Sequence, residues 1–547
     1  MIYLSIPMLL EATNISKTIG PKDLFKDLTF TIDTGEKIAL IGRNGQGKTT
    51  ILKILAGEDT DFDGTVITRK NLLVTLTKQE HIEDTQQSAL TYILKSVPDY
   101  YTLEKILHDF QQGLLTDIHH YSEALERFTQ KGYFYSKDFI LRTLLGFQIS
   151  NDQAHFPLSK LSGGEKRYVE LTRLMYSRSD LFLIDEPTNH MDYLGKEQFI
   201  SWMQETRESI VVVTHDRDVL RHVTKIIELK DKKLSLYHGN YDQYLAQNAS
   251  QTTNSVKQYS DQLNRLKEAK KRVEWGLQMR AKSKEWKTRY DHWLRDWEKI
   301  KSETVKPSFW IDQNSAELLD KEVLDSYHKF KEKNISIAIH TNKERTSDLV
   351  SVKNLTLGYS APLFSPLTFS IKNSDRVFIK GKNGAGKSTL VRTILSLWKQ
   401  EIPNVKQMTG TITLGTSLRI GEYEQEISEK YLFMSLEEAV LLNYSELGIP
   451  MEDQQLKRLL AQYLFDPIID GRQKIINLSG GQKARFQLMK MFAAKPNLLI
   501  LDEPTNHLDL PSIEELEKAL AAFGGGILYI SHDTYFIQHL GGEIIEL

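Results

Sequence analysis

One set of short motifs occurs twice, in the same order, in this 547-residue chain. The first set reads Gly42-Arg43-Asn44-Gly45-Gln46-Gly47-Lys48-Thr49, then Leu161-Ser162-Gly163-Gly164-Glu165, then Leu183-Ile184-Asp185-Glu186-Pro187, then His215. The second reads Gly381-Lys382-Asn383-Gly384-Ala385-Gly386-Lys387-Ser388, then Leu478-Ser479-Gly480-Gly481-Gln482, then Leu501-Asp502-Glu503-Pro504, then His532. Ser162, Glu186 and His215 each recur 317 residues later, at Ser479, Glu503 and His532. A duplicated domain is the simplest cause. The length fits two to four domains, so the chain must fold as two copies of one unit plus whatever joins them.

The motifs carry a definite chemistry. The apolar run 37–41 reads as a buried strand feeding the first glycine loop, and 50–55 reads as the helix after it. That strand–loop–helix context is what a phosphate loop requires. Gly42, Gly45 and Gly47 let the backbone wrap phosphates, and the helix N-terminus adds its positive end. Lys48 can reach the β- and γ-phosphates, and the Thr49 hydroxyl can ligate Mg²⁺. Gly381, Gly384, Gly386, Lys387 and Ser388 repeat the arrangement. Asp185 and Asp502 each end an apolar strand, placed to hold the Mg²⁺ shell. Glu186 and Glu503 follow directly and can polarise an attacking water. His215 and His532 stand 29 residues after each glutamate, a spacing that suits a γ-phosphate sensor.

Composition narrows the setting. A formal net charge of -2 gives no global pull toward nucleic acid or membrane. The chain has no cysteine, which excludes disulfides, cysteine-ligated zinc and cysteine-held iron–sulfur clusters. The apolar start at 1–10 lacks a basic leader and a cleavage site, and is expected to run into a first strand. No apolar run approaches the roughly 18 residues of a membrane helix. The expected setting is cytoplasmic, with no membrane part.

Three regions are expected. Residues 1–245 form the first motif-bearing domain, with extra helical residues inserted within about 88–145. Residues 346–547 form the second, with no C-terminal appendage. Between them, 246–345 reads as a helical hairpin. Val256, Tyr259, Leu263, Leu266, Val273 and Leu277 make one apolar stripe. Leu319, Val323, Tyr327 and Phe330 make a returning one, and Pro307 lies between, so the tip is expected within 285–312. This segment is basic, with Lys257, Arg265, Lys267, Lys270, Lys271, Arg272, Arg280, Lys282, Lys284, Lys287 and Arg289 against Asp261, Glu268, Glu274 and Glu285. It also holds Trp275, Trp286, Trp293, Trp297 and Trp310. Cationic heads and planar rings together suit RNA phosphate contact and base stacking. The same composition also suits a solvated helix face with tryptophans closing the hairpin core.

With Ser162-Gly163-Gly164 and Ser479-Gly480-Gly481 in place, the chain resembles ATP-binding cassette proteins. The resemblance implies an α/β fold of two tandem ATP-binding cassette domains joined by a long α-helical hairpin linker. It implies two composite ATP and Mg²⁺ sites in one monomer. Lys48, Thr49, Gln79, Asp185, Glu186 and His215 would work with Ser479 and Gly481. Lys387, Ser388, Gln425, Asp502, Glu503 and His532 would work with Ser162 and Gly164. Asn44, Thr50, Gly163, Asn383, Thr389 and Gly480 belong to the same nucleotide-binding set. Asp185, Thr49 and Gln79 would face one Mg²⁺, and Asp502, Ser388 and Gln425 the other. Tyr359 matches the family's adenine-stacking aromatic, whereas Ile19 stands in that place in the first domain.

The repeated Pro-Thr-Asn-His at 187–190 and 504–507, and the segment 237–245 leading into the linker, make the chain similar to the ABC-F family, whose members bind the ribosome. The resemblance implies an ATP hydrolase on the 70S ribosome. Its linker would enter the tRNA exit site, contacting 23S rRNA and peptidyl-tRNA through residues such as Arg289, Trp293 and Trp297. The leading expectation is antibiotic resistance by displacement of drugs from the peptidyl transferase centre. A housekeeping translation factor is the runner-up, and a transporter motor subunit or a DNA-acting ATPase are remoter readings.

Overall fold

The structure is a computed structural model that describes residues 8–20, 22–77, 86–189, 191–304, 321–330, 348–424, 427–506 and 508–547. It divides into two compact units, Met1–Leu236 with Ser336–Leu547, and Tyr237–Ile335.

The first unit contains both motif sets, each on the same α/β plan. In the N-terminal half, parallel strands run in the order Val74–Leu76, Leu181–Asp185, Ser209–Val213, Lys37–Gly42, Lys225–Lys230. In the C-terminal half the order is Ile420–Tyr423, Leu498–Asp502, Gly526–Ile530, Arg376–Lys380, Glu543–Glu546, again all parallel. The central strands are apolar through their interiors because helices cover both faces of such a sheet. Leu181–Asp185, Ser209–Val213, Leu498–Asp502 and Gly526–Ile530 are buried at every position. A three-stranded antiparallel sheet accompanies each half. Met8–Ile19 pairs with Lys22–Asp33 and Asp63–Thr68, and Val350–Gly358 with Leu367–Ile371 and Lys406–Leu414. The phosphate-loop helices Lys48–Leu55 and Lys387–Trp398 pack between the two sheets of their halves. Tandem α/β domains are thus what the sequence led one to expect.

The N-terminal half carries additional helices at Tyr100–Gln111 and Ile118–Gln130. Stacking of Phe110 on Tyr121, at 4.1 Å between centroids, closes one end of this pair. Tyr100, Phe128 and Tyr133 close the other, with centroids 5.5 to 5.6 Å apart.

The second unit is helical. A 39-residue helix, Tyr241–Met279, begins on a capping box in which Asn240 and Gln243 bond each other's backbone. A 20-residue helix, Lys284–Glu303, begins at Ser283, whose hydroxyl accepts from the Trp286 amide at 3.3 Å. The reversal therefore lies at 280–283, earlier than the 285–312 expected. A strong N-cap at Ser283 starts the returning helix before any influence of Pro307, which lies outside the described residues. The apolar stripe packs as expected at its base: Val256 meets Val323 and Tyr327 of the helix Lys321–Phe330. Near the reversal, Gly276 lets the two helices close. A Cβ there would stand 3.0 Å from the Trp293 ring.

Candidate nucleotide sites

Each glycine loop forms a left-handed turn that only glycine takes without strain. Gly47 and Gly386 cap their helices at φ 98° and 99°. A Cβ at either would press on a phenylalanine ring 3.0 Å away, Phe25 or Phe364. Lys48 Nζ turns back onto the loop, donating to the Gly42 and Arg43 carbonyls at 2.7 and 3.2 Å. Lys387 Nζ does the same to Gly381 and Lys382 at 2.8 and 2.9 Å. Both ammonium groups are buried, and burial pulls their pKa values down. A buried cation hydrogen-bonded to neutral carbonyls is well matched to an incoming phosphate. The Thr49 hydroxyl donates to Asp185 at 2.7 Å, and Ser388 bonds Asp502 likewise. Burial pushes both aspartates up. A hydroxyl and a carboxylate are hard oxygen donors, the partial set that Mg²⁺ takes when substrate phosphates supply the remainder.

Glu186 and Glu503 are the most constrained residues of the sites. Both take the left-handed backbone region, at φ 45° and 50°, which is unfavourable for a residue with a Cβ. Each is pinned there by its amide, Glu186 to the Val213 carbonyl at 2.8 Å and Glu503 to Ile530 at 3.0 Å. In the N-terminal half Arg167 also clamps the turn, donating to the Asp185 and Glu186 carbonyls. Burial pushes the Glu186 carboxyl well above the usual carboxylate range, an effect that Lys48 opposes.

The histidines differ. His532 donates its amide to Glu503 Oε2 at 3.2 Å, and its Nε2 lies 3.3 Å from Oε1. Burial lowers the His532 pKa to about 3, with Lys387 and Lys196 adding to the effect. The ring is therefore neutral near pH 7, and its approach to Glu503 Oε1 is a close contact rather than an ion pair; the hydrogen bond to Glu503 is the one its amide makes. His215 is also held neutral by burial. Neither of its ring nitrogens finds a hydrogen-bond partner among the described residues.

The two halves meet at these sites. The Asn44 amide donates to Asp509 at 3.4 Å, and the Asn383 amide to Asp192 at 3.0 Å. Each aspartate uses its other oxygen to cap its own helix, Asp509 on the Ser512 amide at 3.1 Å and Asp192 on Gly195 at 3.0 Å. Gly481 lies against Asn44 so closely that a Cβ would stand 2.5 Å from its side-chain nitrogen. The second signature segment thus faces the first phosphate loop. Ser162 and Ser479 both cap their signature helices in capping boxes. Gly163 has open space around it, so a Cβ there meets nothing within 4 Å. Arg217 crosses to Glu517 in a buried two-pronged pair at 2.8 and 3.4 Å.

Several expected residues stand at the surface or outside the described residues. Tyr359 and Ile19 are both surface residues, 64% and 56% exposed. Gln79 and Gln425 lie outside the described residues, as does Trp310. In the helical unit, Trp293 is half-buried against Trp275, with centroids 6.0 Å apart, and Trp297 is half-buried under Lys301. Arg289 is exposed, with its guanidinium 5.1 Å from the Trp286 ring. Sequence reasoning gave no role to Asp192 and Asp509. Their equal spacing of six residues after each glutamate was the available signal.

Parallel strands ending in paired carboxylates, two glycine cradles and a shared interface define a tandem ATP-binding cassette ATPase. Comparison with known proteins agrees. The family profile described as ABC transporter matches residues 25–189 and 364–506, and a second profile with the same description matches 227–309. The chain is 30% identical to ABC transporter F family member 2 of Arabidopsis thaliana over 98% of its own length and 76% of that relative's. It is 27% identical to the ABC transporter ATP-binding protein YfmM of Bacillus subtilis (strain 168), over 98% of the chain and 97% of the relative. The archaeal ribosome recycling factor aABCE1, solved with the ribosomal stalk protein aP1, shares the fold with a TM-score of 0.55 at 14% identity, covering 97% of this chain and 87% of that one. The chain belongs to the ABC-F family of ATP-binding cassette proteins and is an ATPase. Among the described residues no helix is long and apolar enough to cross a membrane.

Proposed function

We propose that the chain is an ATP-driven clamp acting on the 70S ribosome, with the helical unit as the working part placed in the tRNA exit site. The observation that carries this reading is the helical unit itself. It is a hairpin of 39- and 20-residue helices whose reversal is flanked by tryptophans and by exposed basic residues such as Arg280, Lys282 and Arg289. Such a surface suits RNA backbone and stacked bases better than a protein groove. That one fold neighbour is a ribosome recycling factor adds support.

In this proposal, Lys48 and Lys387 hold the nucleotide phosphates, with Mg²⁺ at Thr49–Asp185 and Ser388–Asp502. Bound nucleotide supplies the charge that draws the opposite signature helix onto each loop. Glu186 and Glu503 orient the attacking water, and His215 and His532 sense the γ-phosphate. To act as a switch, nucleotide must favour the closed pair by about 5.5 kcal/mol, a roughly 10⁴-fold difference in affinity between states. Gln79 and Gln425 complete the metal shells, and Tyr359 stacks the adenine.

The reading divides by consequence. As a translation factor, the chain eases stalled ribosomes. As a resistance factor, it shifts the tRNA acceptor end or nearby rRNA so that a bound drug leaves. The tryptophan-rich reversal favours a reach toward the peptidyl transferase centre, and a housekeeping role uses the same reach. Purified chain should show ATPase activity stimulated by 70S ribosomes, lost in the Glu186→Gln, Glu503→Gln variant. Unchanged turnover with ribosomes would sink the proposal. Growth of expressing cells in drugs of the peptidyl transferase centre then separates its two forms.

A further inference from the structure

The two halves are related by sequence, yet their interface is not symmetric. Lys196, four residues after Asp192, is 6% exposed and reaches across from the N-terminal half. Its Nζ bonds Asp216 at 2.9 Å and Asp218 at 3.0 Å within its own half. Its third donor goes to the backbone carbonyl of His532 in the other half. Thr534, two residues further on, donates its hydroxyl to Asp218 at 2.8 Å, so both ends of the His532 turn are held. The same turn presents the His532 amide and ring to Glu503. The matching positions are Ile513 for Lys196 and Tyr535 for Asp218. Ile513 lines the same cavity between the glutamates but has no charge to offer His215. Among the described residues, neither ring nitrogen of His215 has a hydrogen-bond partner.

We propose that Lys196 is a cross-cassette positioning residue, which fixes the His532 turn and through it Glu503. The site built on Lys387 then depends on a lysine of the first cassette, and at the site built on Lys48 the matching position is Ile513, the cross-cassette tie there being Arg217 to Glu517. This rests on the assignment of Glu186 and Glu503 made above. An ammonium with three donors satisfied by two carboxylates and a carbonyl is a rigid brace, because each bond restricts the others. Loss of that brace lets the His532 turn relax away from Glu503. Binding at Lys387 is untouched, since the bonds of Lys196 go to Asp216, Asp218 and His532 and not to that glycine loop.

Single-site backgrounds test this. Glu186→Gln leaves turnover to the second site, and Glu503→Gln leaves it to the first. Adding Lys196→Met should lower kcat about tenfold in the Glu186→Gln chain, the scale of one oriented hydrogen bond in a barrier, with KM for ATP unchanged within about twofold. In the Glu503→Gln chain the fall in kcat should be clearly smaller, because in that half Lys196 reaches the Asp216 and Asp218 side chains and holds no backbone of the His215 turn. A general loosening of the interface would lower both alike. Thr534→Val, which buries no new charge, should show the same selectivity at smaller size if Lys196→Met folds poorly. Equal effects in the two backgrounds, or none, would overturn the role of Lys196. If Glu186→Gln and Glu503→Gln alone each leave turnover at the parent level, it is the site assignment that fails.

Discussion

A single Cβ decides how closely the two cassettes can meet. At Gly481 that atom would lie 2.5 Å from the Asn44 side-chain nitrogen, and 3.0 Å from its Cβ. Gly481→Ala forces the Asn44 side chain to turn away and crowds its Cβ, so the contact between signature helix and phosphate loop loosens. ATPase activity from the Lys48 site, read in the Glu503→Gln chain, should fall by an order of magnitude or more. Turnover assays of that chain with and without Gly481→Ala check this, and equal activities would contradict the packing described. The same scale shows what the sequence made legible. Glycines, lysines and carboxylates were readable because phosphate and metal chemistry demands those types at those spacings. Asp192 and Asp509 were not assigned, because one oxygen does a helix-capping task common to many aspartates while the other reaches across an interface. Lys196 was hidden for a related reason, since its three partners come from two distant segments.

Among the elements, the helices Tyr241–Met279 and Lys321–Phe330 match the stripes read from apolar spacing, whereas the helix Lys284–Glu303 occupies the stretch expected to be the tip, so the reversal was misplaced. Periodicity reports which face is buried. It does not report where a helix stops, and here Ser283 restarts the chain as helix well before the expected tip. The consequence is that Trp286, Trp293 and Trp297 stand on the returning helix, Trp286 and Trp293 in contact with Trp275. Their rings brace the hairpin, while the cations beside them remain outside. Gly276 permits that closure. Gly276→Val should splay the helices near the reversal, changing tryptophan fluorescence and abolishing ribosome stimulation, with ribosome-free ATPase held within about twofold. Retained stimulation would show that the shape of the reversal does not matter to the working surface.

For the whole molecule, the tandem α/β plan followed from the duplication, since two matching motif sets require two sheets that end in the same carboxylates. The pairing of the cassettes followed less directly. It depends on contacts such as Arg217–Glu517, buried at both ends, for which no motif exists. A buried ion pair of this kind is strongly destabilising to break, by about 3–5 kcal/mol, because the remaining charge is left uncompensated. The interface is therefore specific as well as close, as the proposed nucleotide-driven clamp requires. The most direct test of that account is cosedimentation of the Glu186→Gln, Glu503→Gln variant with 70S ribosomes, with and without ATP, followed by imaging of the pelleted complex. Removing both carboxylates blocks hydrolysis and leaves closure intact, so the account predicts ATP-dependent pelleting with the helical unit in the tRNA exit site and its 280–283 reversal toward the peptidyl transferase centre. Pelleting that is absent, or indifferent to ATP, would contradict it.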